Sequence, residues 1–199
     1  MSRIRYRQRP SLLARLFRLV FALLVVYAAV LGISAYRISG WAKQTLDSYE
    51  TFESTFESGD YEKARAAIGD VTQSVNQISN EAHAWYWHLA TNVPYFGEDV
   101  TCAQMLSGIA SNLGNNALLP VLNGVESAQN DLSKISEVVE ALTEARNVVS
   151  SCRKDFEALP PSHFEALNSL ASRLQQAVVN ADDVLNQLSV VLDVANVFV

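Results

Sequence analysis

A run of apolar residues close to the N-terminus restricts the fold of this chain more than any other feature. Residues 19–33 (LVFALLVVYAAVLGI) carry no charge, and the apolar stretch extends over 21 residues from Leu16 to Tyr36, interrupted only by Arg18. A helix needs about 20 residues to cross the hydrocarbon of a bilayer, and an arginine near one end can extend its side chain to the headgroups. The run therefore predicts a transmembrane helix from Leu16 to Tyr36.

Charge is divided sharply by this run. The only charged residues before Arg37 are six arginines, whereas nine Lys or Arg and all 21 Asp or Glu follow from Arg37 onward, a net charge of −12. The positive-inside rule keeps the arginine cluster in the cytoplasm. We expect residues 1–15 to be a basic cytoplasmic stub, and everything after Tyr36 to be extracytoplasmic in a single-pass protein of the cell membrane. An acidic exported part also argues against binding to nucleic acid.

Two other interpretations of the apolar run exist. One is a cleaved secretory signal peptide, with Gly32 and Ser34 as the small residues before the cut, although the apolar core is long for a signal peptide. The other is a core helix of a soluble protein, but such a helix would show polar positions at a period near 3.6. The run shows none, so we expect an uncleaved membrane anchor in contact with the lipid bilayer.

Four segments beyond the membrane repeat apolar residues at alternating three- and four-residue spacing. They begin at Ala64, Cys102, Ile135 and Phe164 and end at Leu89, Leu113, Phe156 and Ala195, respectively. A mean spacing of 3.5 keeps one stripe facing a partner helix. The sequence therefore predicts an all-α protein, in which the transmembrane helix is followed by a membrane-proximal helix and linker (37–59) and by a bundle of about four long antiparallel helices (60–199).

Turn signals fall between these segments. They are Ser58-Gly59-Asp60, which should end the membrane-proximal helix near Glu57; Pro94 and Gly97; Pro120 with Asn123-Gly124; and Pro160-Pro161. Asp99 is a candidate N-cap for the second segment. We expect the chain to bend at each of these places.

Cys102 and Cys152 are the two cysteines of the chain. If the second and third segments form a hairpin that turns near Ser127, the two residues lie at similar heights. Outside the cytoplasm such a pair can oxidise, and closing a loop of about 50 residues would stabilise the fold by roughly 4 kcal/mol. We favour this disulfide over the alternative of two reduced cysteines that serve as small core residues.

Aromatic residues cluster between the first and second segments: Trp85, Tyr86, Trp87, Tyr95 and Phe96. Trp85 lies in the register of the apolar stripe, whereas Trp87 lies about 200° round the helix and is exposed or covered by the next turn. The candidate contact surface comprises Trp87, Pro94, Tyr95, Phe96, Gly97 and Asp99. We favour the interpretation in which the rings anchor the helix end against its neighbour; the alternative is that this surface binds a sugar or a protein partner.

The sequence between Trp85 and Pro120 also carries a family resemblance. A Trp-rich helix end and an x-Pro-x-x-Gly-x-Asp break (WYWHLATNVPYFGED) are followed by a helix of small residues that closes in Ala-Leu-Leu-Pro. The pattern resembles domain-of-unknown-function family 4012 (DUF4012), envelope proteins of Gram-positive bacteria with one N-terminal membrane anchor. The chain looks like an N-terminal-only or truncated member. The resemblance implies a cell-surface setting near envelope polysaccharide production and supplies no catalytic residues.

No pattern of residues points to an enzyme. His83, His88 and His163 lack the spacing of a metal site, and there is neither a Gly-rich phosphate loop nor a Gly-x-Ser-x-Gly elbow. We expect a non-enzymatic chain without cofactors, a helical scaffold or interaction module with a protein partner in the envelope and a polysaccharide as a further candidate partner. The alternative is a sensor ectodomain that signals through a partner protein.

Overall fold

The computed structural model describes residues 12–196, so most of the predicted basic stub (1–15) lies outside the described residues. Every regular element within 12–196 is helical, which confirms the all-α class. The helices are α1 (Leu12–Glu57), α2 (Tyr61–Ala82), α3 (Trp85–Ala90), α4 (Phe96–Leu113), α5 (Leu119–Asn130), α6 (Ile135–Glu157) and α7 (Glu165–Asn196).

Helix α1 is a single unbroken helix of 46 residues, about 69 Å long. It continues beyond the apolar run and ends at Glu57, as the sequence predicts. Its segment from Phe17 to Phe52 is long and apolar enough to cross a membrane. Phe21, Leu23 and Val26 are each at least 60% exposed, whereas a core helix of a soluble protein would bury such side chains.

Helix α2 runs back along α1 after a tight turn. Gly59 adopts a φ of 79°, a conformation that a side chain would disfavour. Asp60 then caps α2 by accepting a hydrogen bond from the backbone N–H of Lys63 at 3.2 Å. The two helices stay together to the end of α2, where Glu81 forms a 3.0 Å ion pair with Arg37 of α1.

Helices α4 and α5 form one continuous rod. The predicted bend at Pro120 and Gly124 is wrong, because Pro120 lies in the first turn of α5, where its missing N–H costs little. The π-helical segment Gly114–Leu118 precedes it, and this wider turn relieves the clash that a proline ring makes with the preceding turn of an α-helix. The chain instead reverses at Asp131, where α5 ends.

The core lies where α4, α6 and α7 meet. Leu106 and Ile109 of α4 pack with Val149 and Phe156 of α6 and with Val178 of α7, all nearly inaccessible to solvent. These residues come from the predicted apolar stripes. The predicted bundle of four long helices consists of α2, the continuous α4–α5 helix, α6 and α7. Pro160-Pro161 separates α6 from α7, as expected.

Candidate functional site

The most distinctive part of the molecule is the aromatic turn, which we define as residues 83–96. Helix α2 ends because His83 and Ala84 leave the helical path: Ala84 is extended, with φ −62° and ψ 148°. A new helix, α3, begins at Trp85. The apolar stripe of α2 therefore does not continue into α3. The prediction that Trp85 lies in the buried stripe is therefore wrong: Trp85 is 72% exposed and Trp87 is half-buried.

Helix α3 packs directly on α1. The indole Nε1 of Trp87 donates a hydrogen bond to Ser34 Oγ at 2.7 Å, and the Tyr27 hydroxyl donates to the backbone carbonyl of Tyr86 at 2.8 Å. Within residues 17–36, the positions that are not fully exposed are Tyr27, Val30, Leu31 and Ser34. This spacing forms one face of a helix, so α3 covers a single stripe of α1 and leaves the rest of its apolar surface bare.

A buried carboxylate ties the ends of α2 and α3 to α1. Glu81 is 9% exposed; it pairs with Arg37 and accepts a hydrogen bond from the Tyr86 hydroxyl. Burial opposes the ionisation of Glu81, but hydrogen bonds from Tyr86 and Ser34 and the charge of Arg37 outweigh it and hold its pKa below the usual range. The guanidinium of Arg37 also lies 5.0 Å from the ring centroid of Trp41.

The other end of the aromatic turn is a sharp backbone reversal. Tyr95 has a φ of 67°, which is uncommon for a residue with a side chain. Gly97 follows against the backbone of Thr91, so closely that a Cβ atom at Gly97 would lie 2.0 Å from the Thr91 carbonyl oxygen. Only glycine fits there, which explains the Pro-x-x-Gly pattern in physical terms.

The structure places the residues of the candidate contact surface in different surroundings. Pro94 and Tyr95 are exposed, and Trp87 and Phe96 are half-buried. Gly97 and Asp99 are buried and cannot present side chains to a partner, so this part of the prediction needs correction. The remaining exposed apolar residues of the aromatic turn are Trp85, Leu89 and Val93, which the sequence analysis did not assign to the surface.

Asp99 holds the loop between α6 and α7. Its Oδ1 accepts hydrogen bonds from Ser162 Oγ and the backbone N–H of His163, both at 2.6 Å. The Ser162 hydroxyl contributes most to lowering the pKa of Asp99, burial opposes it, and His163 lowers it further. The predicted N-cap role is wrong because α4 already begins at Phe96, which puts Asp99 inside the helix.

The register of the α4–α6 hairpin separates the two cysteines. Gly124 faces Val138, Asn112 contacts Cys152 and Asp99 contacts His163, so the hairpin centres on residues 131–132 rather than on Ser127. Cys102 lies in the same helix as Asn112, about ten residues before it, and is therefore about 15 Å along the axis from the level of Cys152, whereas bridged cysteines have Cα atoms within about 7 Å. Both are buried free thiols. The disulfide stays a prediction, one that this register disfavours.

An open polar cleft lies at the far end of the bundle. Its volume is about 420 Å³, and it is lined by Arg65, Asn123, Glu126, Ser127, Asp131 and Lys134. Arg65 and Glu126 form an ion pair there. Among the residues that the structure describes, no three His, Cys, Asp or Glu side chains converge as metal ligands would.

Comparison with known proteins gives no match: no protein-family model, no curated protein and no solved structure is similar to this chain. The resemblance to DUF4012 stays a prediction.

A signal in the sequence could have identified the extent of the aromatic turn. Between Glu81 and Glu98 the chain has sixteen consecutive residues without Asp, Glu, Lys or Arg. A stretch of that length without charge is unusual in a segment as acidic as the one that follows the apolar run. The position of the aromatic turn next to α1, by contrast, depends on α2 running antiparallel to α1. The periodicity of apolar residues does not determine which helices are neighbours.

Proposed function

We propose that this chain is a single-pass membrane protein whose extracytoplasmic helical bundle acts as a scaffold or interaction module. Its N-terminal arginines would lie in the cytoplasm, and the residues after Tyr36 would lie on the extracytoplasmic side. The observation that carries the proposal is the continuity of α1, which runs without a break from its exposed apolar segment into the bundle. The Arg37–Glu81 ion pair then fixes the bundle to that helix.

The charge distribution supports the orientation. Six arginines and no acidic residue precede Arg37, whereas all 21 acidic residues follow it; the positive-inside rule associates this asymmetry with a cytoplasmic N-terminus. Within the described residues, helices α4, α6 and α7 share one apolar core, which gives the bundle a rigid body. We propose a non-enzymatic role, in which the bundle presents its surface to a protein partner in the envelope. The resemblance to DUF4012 extends this proposal to envelope polysaccharide assembly.

The proposal is tested by labelling introduced cysteines in intact cells with a membrane-impermeant maleimide. Gln73→Cys places a thiol at an exposed position of α2, and Ser2→Cys places one in the arginine-rich stub. We expect labelling of Q73C in intact cells and of S2C only after permeabilisation. The wild-type chain is the background control, because Cys102 and Cys152 are buried. Labelling of S2C alone in intact cells, or release of the protein from membranes by alkaline carbonate, would contradict the proposal.

The sensor alternative has one observation in its favour. Helix α1 is both the membrane segment and a packed element of the bundle, so a displacement of the bundle would move the membrane helix. Breaking that continuity with Gly40→Pro, at an exposed position of α1, should abolish signalling through a partner but leave a scaffold attached and folded. Retained partner-dependent output in G40P cells would exclude the sensor.

A further inference from the structure

The register between α3 and α1 places the aromatic turn at the level of the membrane. The Trp87–Ser34 and Tyr86–Tyr27 hydrogen bonds both fall within the apolar run from Leu16 to Tyr36. If Tyr36 marks the outer end of the span, Ser34 lies about 3 Å below it and Tyr27 about 14 Å, at 1.5 Å per residue. Half of the hydrocarbon thickness is about 15 Å. The contacts of α3 therefore reach from the outer boundary deep into one leaflet.

The length of the described part of α1 argues against a position of the aromatic turn in bulk water. If residues 83–96 stayed in water, the part of α1 that they cover, from Tyr27 to Ser34, would also lie outside the hydrocarbon. The described residues left for the span would be Leu12 to Val26, about 22 Å of helix that includes Arg15 and Arg18. That is shorter than the roughly 30 Å of hydrocarbon.

The surface of the aromatic turn has the chemistry of a membrane interface. Trp85 is 72% exposed, Leu89 55% and Tyr95 84%, and sixteen consecutive residues around them carry no Asp, Glu, Lys or Arg. Trp and Tyr favour the boundary between hydrocarbon and headgroups, because one part of each ring system is apolar and another can form hydrogen bonds. This exposed patch adjoins the bare apolar surface of α1, so the two surfaces are continuous.

We propose that the aromatic turn inserts into the outer leaflet of the bilayer and forms a second membrane contact beside α1. The inference rests on the proposed function, since it requires α1 to span the membrane. Lipid at the headgroup boundary covers Trp85 and Leu89, while the hydrogen bonds to Ser34 and Tyr27 hold α3 against the spanning helix. The insertion sets the depth of the bundle and restricts the rotation of α1 about its axis.

The test uses quenching of tryptophan fluorescence in the full-length protein, reconstituted into phosphatidylcholine vesicles that carry bromine near the top or near the middle of the acyl chains. The chain has three tryptophans: Trp85 and Trp87 in the aromatic turn, and Trp41 above the span. We expect Trp85→Phe to remove a large share of the quenching by the upper bromines. The matched control, Trp41→Phe, should leave that quenching unchanged. Adding Leu89→Trp to the W85F variant should restore it.

The outcomes separate this inference from the proposed function. Flotation of the protein with the vesicles reports the anchor alone. If the protein floats but W85F leaves bromolipid quenching unchanged, and Trp85 is quenched by aqueous acrylamide instead, the aromatic turn is a water-exposed surface and the inference is overturned. If the protein does not float, the membrane-anchored function itself fails.

Discussion

Trp87 and Ser34, 53 residues apart in the chain, are joined by a 2.7 Å hydrogen bond from the indole N–H to the serine hydroxyl. Ser34 is 2% exposed although it lies in a helix whose neighbouring apolar residues are bare. A hydroxyl in an apolar helix needs a partner, and α3 supplies it. The sequence analysis weighed Ser34 as part of a signal-peptide cleavage site, whereas in the structure Ser34 joins α3 to α1.

Replacing Ser34 by alanine should loosen α3 from α1. The substitution leaves the Trp87 N–H without its acceptor and removes the hydroxyl that stabilises ionised Glu81, at a cost of about 1–3 kcal/mol. Hydrogen exchange measured by mass spectrometry should show faster exchange in residues 83–96. Ser39→Ala, at an exposed position of the same helix, is the control; equal exchange in S34A and S39A would show that the contact contributes nothing.

Gly97→Ala should destabilise the fold, because the new Cβ atom would lie 2.0 Å from the Thr91 carbonyl oxygen, a backbone atom that cannot move aside alone. Overpacking of this kind costs about 1–3 kcal/mol or more. Gly108→Ala is a matched control in the same helix: no atom lies within 4 Å of its added Cβ, and alanine favours a helix over glycine by about 1 kcal/mol.

Thermal unfolding followed by circular dichroism in detergent should therefore give a lower midpoint for G97A and an equal or higher one for G108A. A G97A midpoint at or above the wild-type value would mean that the close approach of Thr91 is not a feature of the folded protein.

The sequence predicted the long helices and most of their junctions, but not the junction between α5 and α6. Apolar periodicity predicted α2, α4, α6 and α7, because each buries one stripe along its length. At Pro120 the same local signals failed, since proline is also tolerated in a first helical turn and a π-helical segment accommodates it. The neighbouring residues alone do not show whether a proline ends a helix or lies in its first turn.

The candidate site could be predicted only in part, because local sequence signals did not indicate every break in the helices. The aromatic cluster was recognised from composition, but the exposure of Trp85 and the partial burial of Trp87 follow from a break at Ala84 that carries no glycine or proline signal. Likewise, the inward orientation of Asp99 depends on Ser162 and His163, which lie more than sixty residues away. Pairings over such distances are set by tertiary packing, which a single sequence does not reveal.

Acid should destabilise the loop between α6 and α7 through Asp99. The pKa of Asp99 is lowered in the folded state, so the stability it contributes is fully present above its unfolded pKa of about 3.9 and is lost as the pH falls through the lower folded value. We expect Asp99→Asn to reduce the stability at neutral pH and to flatten the acid limb of a plot of unfolding midpoint against pH. The control is Glu98→Gln, a substitution at the exposed neighbouring residue. If the unfolding midpoint of D99N falls with acid as steeply as that of E98Q, Asp99 does not stabilise the loop through its charge.

The state of the two cysteines decides between the register of the structure and the disulfide that the sequence favours. Burial is the main cause that raises the pKa of the Cys152 thiol to about 11; the charge of Asp155 contributes to this rise, and a hydrogen bond from Asn112 opposes it. Burial likewise raises the pKa of Cys102. Because the thiolate is the reactive form, we expect both thiols to alkylate very slowly in the folded protein near neutral pH.

The decisive measurement is the mass of protein that was isolated from cell membranes, unfolded without reductant and then alkylated. The contact between Asn112 and Cys152 holds the two cysteines about ten residues out of register, and each should therefore add one alkyl group. Reduction before alkylation controls for oxidation during purification. If no alkyl group is added until the protein is reduced, and the bond lies within one chain, α4 and α6 must pack near the register that would turn at Ser127, because only that alignment brings the two sulfur atoms within bonding distance.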